Sequence, residues 1–187
     1  MVARLALMSR ECLPEVQFLV VQSRGQWAAS LKVLGLTVED LPNVTAVPMQ
    51  SDMRAVYSQT KILLAPSFWH ESGGRVALEA MLNGIPVLAP MHGGVSELLN
   101  GGGTLLEISE QIRAQHGQLV SEEQAGAWFE VLRDLTTNAS SFEEATARAR
   151  AAANKFSLDH NVNRFASLIQ SHLHMAKLSE NASLYHP

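Results

Sequence analysis

Short apolar runs alternate with segments of helical periodicity along the N-terminal two thirds of the chain. The runs suit buried parallel strands and cover about residues 16–21, 44–47, 62–65, 85–89 and 104–106. The segments between them predict helices at 2–12, 27–34, about 51–58, 76–82 and 95–100, with Ser51 or Asp52 as a possible N-cap of the third. Strands and helices that alternate through short connections predict an α/β fold, a Rossmann-like, doubly wound parallel sheet of about five strands.

The C-terminal third of the sequence predicts only helices. Apolar residues recur at helical spacing over 121–135, 141–155 and 159 to about 175. Ser121, followed by Glu123 and Gln124, resembles a capping box at the start of the first of these helices. We therefore expect one folded domain over residues 1–175 and a flexible tail over 176–187.

One stretch carries the candidate chemistry. Residues 62–65 form a short apolar run, Gly73 and Gly74 follow in a loop, a predicted helix comes next, and Gly84 stands where a helix commonly ends. The first amides of a helix have no intrahelical partner, and glycines let a ligand approach the backbone. Together with the helix dipole, this arrangement predicts an anion site that suits a phosphate, to which Arg75 adds a positive charge.

Two carboxylates flank this predicted anion site. Glu71 lies in the loop before the helix, and Glu79 lies about one turn inside it. Carboxylates on either side of a phosphate site accept hydrogen bonds from sugar or ribose hydroxyls, so the pattern favours a ligand with both hydroxyls and phosphates. The alternative is an ordinary strand-to-helix turn with solvated acids, and spacing alone leaves both interpretations open.

Composition excludes several other classes of function. The net charge of −4 and the lack of a Lys/Arg cluster argue against a nucleic-acid surface. Cys12 is the only cysteine, and His172 and His174 would point to different faces of a helix, so no metal site is predicted. No apolar run approaches about 18 residues, and arginines interrupt the N-terminus. We therefore expect a cytoplasmic protein without a membrane span or a signal peptide.

The stretch around the two glutamates resembles the donor-binding signature of retaining glycosyltransferases with the GT-B fold, in particular glycosyltransferase family 4 (group 1). Glu71 and Glu79 have the signature's spacing, with seven residues between them. The surrounding matches are Pro66-Ser67, Trp69, Gly74, Glu79-Ala80-Met81, Gly84-Ile85-Pro86-Val87, Gly93-Gly94 and Glu97. The ordered set spans about thirty residues, and a looser resemblance covers about residues 2–175.

The resemblance implies a role for each matching residue. It implies that Glu79 holds the ribose hydroxyls and that Glu71 lies at the sugar as the catalytic residue. It implies substrate contacts from Ser72, Gly73, Gly74, Arg75, Val76, Gly93 and Gly94, and a nucleotide base held by the loop of Val47, Pro48 and Met49. The implied reaction moves a sugar from a nucleotide-diphosphate sugar to an acceptor hydroxyl with retention at the anomeric carbon, without a metal or another cofactor. Bacterial surface polysaccharide synthesis is the common use of this family.

The sequence departs from the family in three respects. The GT-B fold has two Rossmann-like domains, and this chain matches the C-terminal donor domain, so an N-terminal acceptor domain is expected in cis or in trans. The family's Arg and Lys after the first strand have no counterpart, since the chain begins in the helix that follows. Gly73 stands where the family often has Phe.

Other interpretations stay open at this stage. A nucleotide-sugar binding or interaction module without activity is the alternative function, and a sugar-nucleotide epimerase of the same fold is a third. His70 and His92 either help to place the sugar or are structural, and Phe68 and Trp69 either stack on a ligand or pack in the core or an interface. A homo-oligomer is also possible. We further expect an exposed apolar surface where the first strand or the partner domain would pack.

Overall fold

A computed structural model describes residues 1–22, 25–99, 101–115 and 117–183 of the chain. Its strands are β1 (Phe18–Gln22), β2 (Val44–Pro48), β3 (Leu63–Leu64), β4 (Val87–Pro90) and β5 (Thr104–Leu106). Its helices are α1 (Val2–Cys12), α2 (Gln26–Val33), α3 (Arg54–Tyr57), α4 (Arg75–Leu82), α5 (Gly94–Leu99), α6 (Glu110–Ala114), α7 (Glu122–Thr137), α8 (Ala139–Ala153) and α9 (Leu158–Ser183), with a 3-10 turn at Asn154–Phe156. The predicted α/β, Rossmann-like architecture with five strands is confirmed.

The boundaries differ from the sequence prediction at three helices. Helix α3 has a single turn, and its N-cap is Met53 without a side-chain cap bond, so the predicted start at Ser51 or Asp52 is wrong. Helix α6 was not predicted. Helix α9 passes the expected end near Met175 because residues 176–183 contain good helix formers and neither Gly nor Pro. The expectations for residue 100, the predicted end of the fifth helix, and for residues 184–187 of the predicted tail lie outside the described residues.

In the described part of the chain, the five strands form two separate hydrogen-bonded sheets, called ladders below, and every strand pairing within them is parallel. Strands β1 and β2 pair from Phe18 opposite Val44 to Gln22 opposite Pro48. Strand β4 lies between β3 and β5 and is buried along its whole length. Since the strands within each ladder run in the same direction, the carboxyl ends of each ladder are the expected place for a ligand site.

One apolar cluster packs against both ladders. It includes Leu5 of α1, Phe18 of β1, Leu88 of β4 and Trp128 of α7, and Leu64 of β3 packs against it. The indole of Trp128 is fully buried, and its Nε1 donates to the carbonyl of Glu107 at 3.3 Å. The predicted capping box of α7 is confirmed, because Ser121 and Gln124 each accept a hydrogen bond from the other's backbone amide. Side-chain packing therefore unites two ladders that are separate at the level of backbone bonds.

A second apolar cluster fixes the helix that carries Glu79. Ala77, Ala80 and Met81 of α4 are fully buried against β4, α5 and α8. Helix α4 ends at Asn83, and Gly84 adopts a φ of 72°, which a residue with a side chain rarely adopts. The amide of Ile85 donates a hydrogen bond to the carbonyl of Ala80, and β4 begins two residues later. The predicted strand–loop–helix–glycine–strand unit is thus present.

Two groups of large apolar side chains stand out among those that are exposed. One is a stripe along α9, formed by Leu158, Val162, Phe165, Leu168, Ile169 and Leu173. The other is a rim at the carboxyl ends of the strands, where Met49, Trp69, Val76 and Met91 are between 48% and 75% exposed. Apolar side chains are thus exposed at the surface, and the prediction that such a surface lies where the first strand or the partner domain would pack stays a prediction. Within the described residues, no helix combines the length and apolar character needed to cross a membrane.

Candidate functional site

The loop that carries Glu71 is the first part of the candidate site. This Glu71 loop, residues 66–74, joins the carboxyl end of β3 to α4. The side chain of Glu71 is exposed, and its backbone amide donates to the carbonyl of Trp69 at 3.0 Å. Ser72 and Gly73 are exposed as well. The loop therefore presents Glu71 to solvent at the edge where parallel sheets bind ligands.

Gly93 and Gly94, from the connection between β4 and α5, lie directly against the Glu71 loop. The amide of Gly94 donates to the carbonyl of Glu71 at 2.6 Å. A Cβ at Gly94 would come within 2.6 Å of the carbonyl carbon of Ser72, and one at Gly93 would lie 3.0 Å from the backbone of Glu71. Gly93 also has a φ of 70°. These glycines are thus placed to let two loop backbones touch.

The start of α4 offers backbone donors beside a positive charge. In the part of the chain that the structure describes, the amides of Gly73, Gly74 and Val76 have no protein acceptor. Arg75 is exposed and forms no ion pair with another described residue. Gly74 is buried, and a Cβ there would lie 2.7 Å from a methyl group of Val95. Free amides, a helix N-terminus and a free guanidinium together suit a phosphate.

Glu79 lines a shallow cleft that is open to solvent. The cleft has a volume of about 630 Å³ and lies between α3 and α4. Its lining consists of Ser51, Asp52, Met53, Arg54, Tyr57, Glu79, Leu82 and Asn83. The Glu79 side chain is half-buried, and its Oε2 accepts a 2.8 Å hydrogen bond from the hydroxyl of Tyr57. The structure thus gives the second glutamate of the signature a partner and an open volume beside it.

The loop predicted to hold a base leads into the same cleft. Val47 is half-buried and Pro48 is exposed at the end of β2, while Met49 is 73% exposed. The next residues, Ser51 to Arg54, line the cleft beside Glu79. Arg54 binds both carboxylate oxygens of Asp52, and these hydrogen bonds lower the pKa of Asp52. The cleft therefore brings Glu79 together with the residues that follow the predicted base loop, whereas Val47, Pro48 and Met49 themselves do not line it.

Two histidines, His70 of the Glu71 loop and His92, form a cluster with Arg113. The guanidinium of Arg113 lies 2.6 Å from Nε2 of His70, and the rings of His70 and His92 are 4.8 Å apart. Since an arginine only donates, that nitrogen of His70 is the acceptor. Burial, followed by the charges of Arg113 and His70, lowers the pKa of His92, although its backbone hydrogen bonds to Ser67 and Trp69 act in the opposite direction. The contacts of His92 thus support its structural interpretation.

Three residues of the site escaped the sequence analysis: Tyr57, Asn83 and Arg113. Tyr57 contacts Glu79 across 22 residues of sequence, and Arg113 contacts His70 across 43. No local sequence pattern predicts contacts at such separations. Asn83 lies at the C-cap of α4, where its side chain donates to the carbonyl of Glu79 at 2.8 Å. Its position next to Gly84 was a usable signal for a capping residue. Among the described residues, no group of three His, Cys, Asp or Glu side chains is placed to bind a metal ion.

Comparisons with known proteins identify the family. The family model of group 1 glycosyl transferases matches residues 2–138. D-inositol 3-phosphate glycosyltransferase of Gordonia bronchialis is 34% identical over 126 residues, which are 66% of this chain and 25% of that protein. An uncharacterized 41.2 kDa protein from the cps region of Klebsiella pneumoniae is 31% identical over 121 residues, 65% of this chain and 30% of the relative. The chain therefore matches less than a third of these relatives' length.

Solved structures give the same fold. The pneumococcal O-GlcNAc transferase GtfA, solved with UDP and GlcNAc, has a TM-score of 0.69 at 17% identity. The match covers 92% of this chain and 33% of GtfA. HepE of Anabaena, solved with UDP-glucose, has a TM-score of 0.55 at 18% identity, over 90% of this chain and 53% of HepE. At these identities the likeness extends to the fold, a Rossmann-like half of a GT-B structure.

Proposed function

This chain belongs to the group 1 glycosyltransferases, and we propose that it is the C-terminal, donor-binding half of a retaining enzyme of family 4. Its ligand is a nucleotide-diphosphate sugar, whose sugar passes to an acceptor hydroxyl with retention at the anomeric carbon. The observation that carries this proposal is the cleft of about 630 Å³ in which Glu79 stands beside the residues that follow the base loop.

Each part of the site has a role in this proposal. Glu79 binds the ribose hydroxyls, and the loop of residues 47–49 contacts the base. The free amides of Gly73, Gly74 and Val76 bind the diphosphate or the sugar hydroxyls. Glu71, exposed in its loop, interacts with the sugar in the transition state. Ser72 contacts the substrate, as do Gly93 and Gly94, whose packing against the Glu71 loop also sets its position.

Catalysis in this proposal rests on charge at the leaving group. Breaking the glycosidic bond leaves negative charge on the departing nucleoside diphosphate, and preorganised donors stabilise such charge effectively. The N-terminus of α4 and the unpaired guanidinium of Arg75 supply positive potential at that position. The proposed reaction uses no metal and no cofactor, so an excess of chelator should leave the rate of transfer unchanged.

Transfer also requires a domain that binds the acceptor. The chain covers 25% and 30% of two curated relatives and 33% of GtfA, which leaves room for such a domain in a longer protein or in a partner. The exposed rim of Met49, Trp69, Val76 and Met91 supports a surface for such a domain at the ends of the strands. A cytoplasmic role in polysaccharide synthesis belongs to the same proposal and draws on the relative from the cps region.

Calorimetric titration with UDP, GDP and ADP tests the donor site. We expect the wild-type chain to bind one of them and the Glu79→Ala variant to bind it about 10- to 100-fold more weakly, because hydrogen bonds to a charged group contribute about 1.5–3 kcal/mol. Glu144→Ala is the matched control, since Glu144 is an exposed glutamate on α8. A folded wild-type chain that binds none of the three nucleotides, or equal affinity in Glu79→Ala, would contradict the proposal.

A further inference from the structure

Tyr57 and Glu79 form a side-chain contact that bridges two helices. The Tyr57 hydroxyl donates a 2.8 Å hydrogen bond to Oε2 of Glu79, although the two residues are 22 positions apart. Tyr57 is the last residue of the single-turn α3, and Glu79 lies in the middle of α4. Both side chains line the same cleft. The hydrogen bond therefore links α3, which follows the base loop, to α4, which carries the carboxylate.

The packing of Tyr57 makes this bond a fixed feature. Its ring is half-buried and packs against the apolar cluster that contains Ala80 and Met81 of α4. Burial, together with the hydrogen bond and the negative charge of Glu79, raises the pKa of Tyr57. The phenol consequently stays protonated throughout the working range of a protein and is always a donor to Glu79.

The other side of the Glu79 carboxylate is free. A carboxylate has two oxygens and about four acceptor positions, and Tyr57 uses one of them. Within the described residues, Oε1 has no protein donor. A side chain that becomes ordered only when the ligand binds loses conformational entropy, and this loss lowers the affinity. A carboxylate that is already fixed before binding avoids the loss.

We propose that Tyr57 is a positioning residue that fixes the carboxylate of Glu79 for two-point recognition of the vicinal hydroxyls of a ribose. The inference rests on the proposed function, because it assumes that Glu79 binds the ribose. It adds the prediction that discrimination between ribose and deoxyribose depends on a residue that need not touch the nucleotide itself.

The test compares ribose with deoxyribose ligands by titration of the whole chain. UDP and 2′-deoxy-UDP serve as probes, or the corresponding pair for whichever base the wild type binds. We expect Tyr57→Phe, which removes only the hydroxyl, to weaken UDP binding by about 3- to 10-fold. The deoxy ligand should lose much less affinity, so the preference for ribose shrinks. In a double-mutant cycle, Tyr57→Phe should have no further effect on that preference once Glu79 is Ala.

Controls separate positioning from general structural damage. Ser58→Ala removes a neighbouring hydroxyl that bonds only locally, to the carbonyl of Ala55 at 3.1 Å, and should leave the ribose preference at the wild-type value. Equal loss of affinity for both ligands in Tyr57→Phe would mean a purely structural role and overturn the inference while leaving the donor site standing. A ribose preference that survives in Glu79→Ala would overturn both the inference and the ribose assignment.

Discussion

Replacement of Gly94 by alanine tests how closely the two loops of the site depend on each other. In the native chain the Gly94 amide bonds the carbonyl of Glu71 at 2.6 Å. An added Cβ would lie 2.6 Å from the carbonyl carbon of Ser72, whereas ordinary contact begins at 3.4 Å, so the loops must separate by at least 0.8 Å. The obstacle is backbone, which has no flexible end that can rotate away. The Glu71 loop must therefore shift.

The expected cost follows from two losses. Overpacking typically costs about 1–3 kcal/mol, and weakening the Gly94–Glu71 hydrogen bond costs roughly another 0.5–1.5 kcal/mol. For a chain of this size, each kcal/mol lowers the melting temperature by about 2–4 °C. Gly94→Ala should thus melt about 3–18 °C below the wild type. Relative to the wild type, the variant should also lose more affinity for the nucleotide sugar than for the free nucleoside diphosphate. The reason is that Glu71 is displaced, whereas Glu79 is not.

Gly73→Ala is the matched control for this experiment. Gly73 has nothing within 4 Å of an added Cβ and no positive φ, although it is one of the two adjacent glycines of the same loop. Its melting temperature should stay within about 2 °C of the wild type, as exposed substitutions usually change stability by less than about 0.5 kcal/mol. Thermal unfolding and calorimetry supply both readouts. A Gly94→Ala variant with wild-type melting and wild-type affinity for the nucleotide sugar would refute the argument.

Two further predictions concern stability. Ser121→Ala removes the N-cap of α7 and should lower the free energy of unfolding by about 1 kcal/mol, or the melting temperature by roughly 2–4 °C. Ser140→Ala is the control, because the Ser140 side chain forms no hydrogen bond within the described residues, and it should cost less than half of that. Because the pKa of His92 is lowered in the folded chain beside Arg113 and His70, the unfolded chain binds the proton first as the pH falls below about 6.5. The wild type should therefore lose stability below that pH more steeply than His92→Gln, and parallel melting curves of the two proteins from pH 7.5 to 5.5 would contradict this.

Local signals predicted the strands and most helices, because their periodicity is dictated by which face is buried. The start of α7 followed from Ser121 and Gln124, since a capping box involves residues only three apart. The end of α4 followed from Gly84, because its backbone conformation suits glycine alone. The two glutamates stood out because an ordered set of residues around them resembles a family signature, and the roles given to them are proposals.

Features that depend on contacts distant in sequence were not predicted. The bond from Tyr57 to Glu79 and the contact of Arg113 with His70 link residues that only the folded chain brings together. The division of the strands into two ladders is likewise a property of pairing, which the apolar runs do not encode. At the start of α3, Asp52 accepts a hydrogen bond from the backbone amide of Arg54 and also binds the Arg54 guanidinium with both carboxylate oxygens. The contact with the guanidinium was not predicted from the sequence.

The separation of the ladders leaves β1 and β2 joined to the rest of the domain by side-chain packing rather than by strand pairing. Strands β1 and β2 have only each other as hydrogen-bonding neighbours within the described residues, while β4 is bonded on both sides and fully buried. A two-stranded ladder is marginal by itself, so local opening of β1–β2 should require less free energy than opening of the three-stranded unit. The base loop follows β2, and Glu79 belongs to the helix beside β4. A nucleotide bound by the base loop and by Glu79 would therefore link the β1–β2 ladder to the three-stranded ladder and stabilise it against local opening.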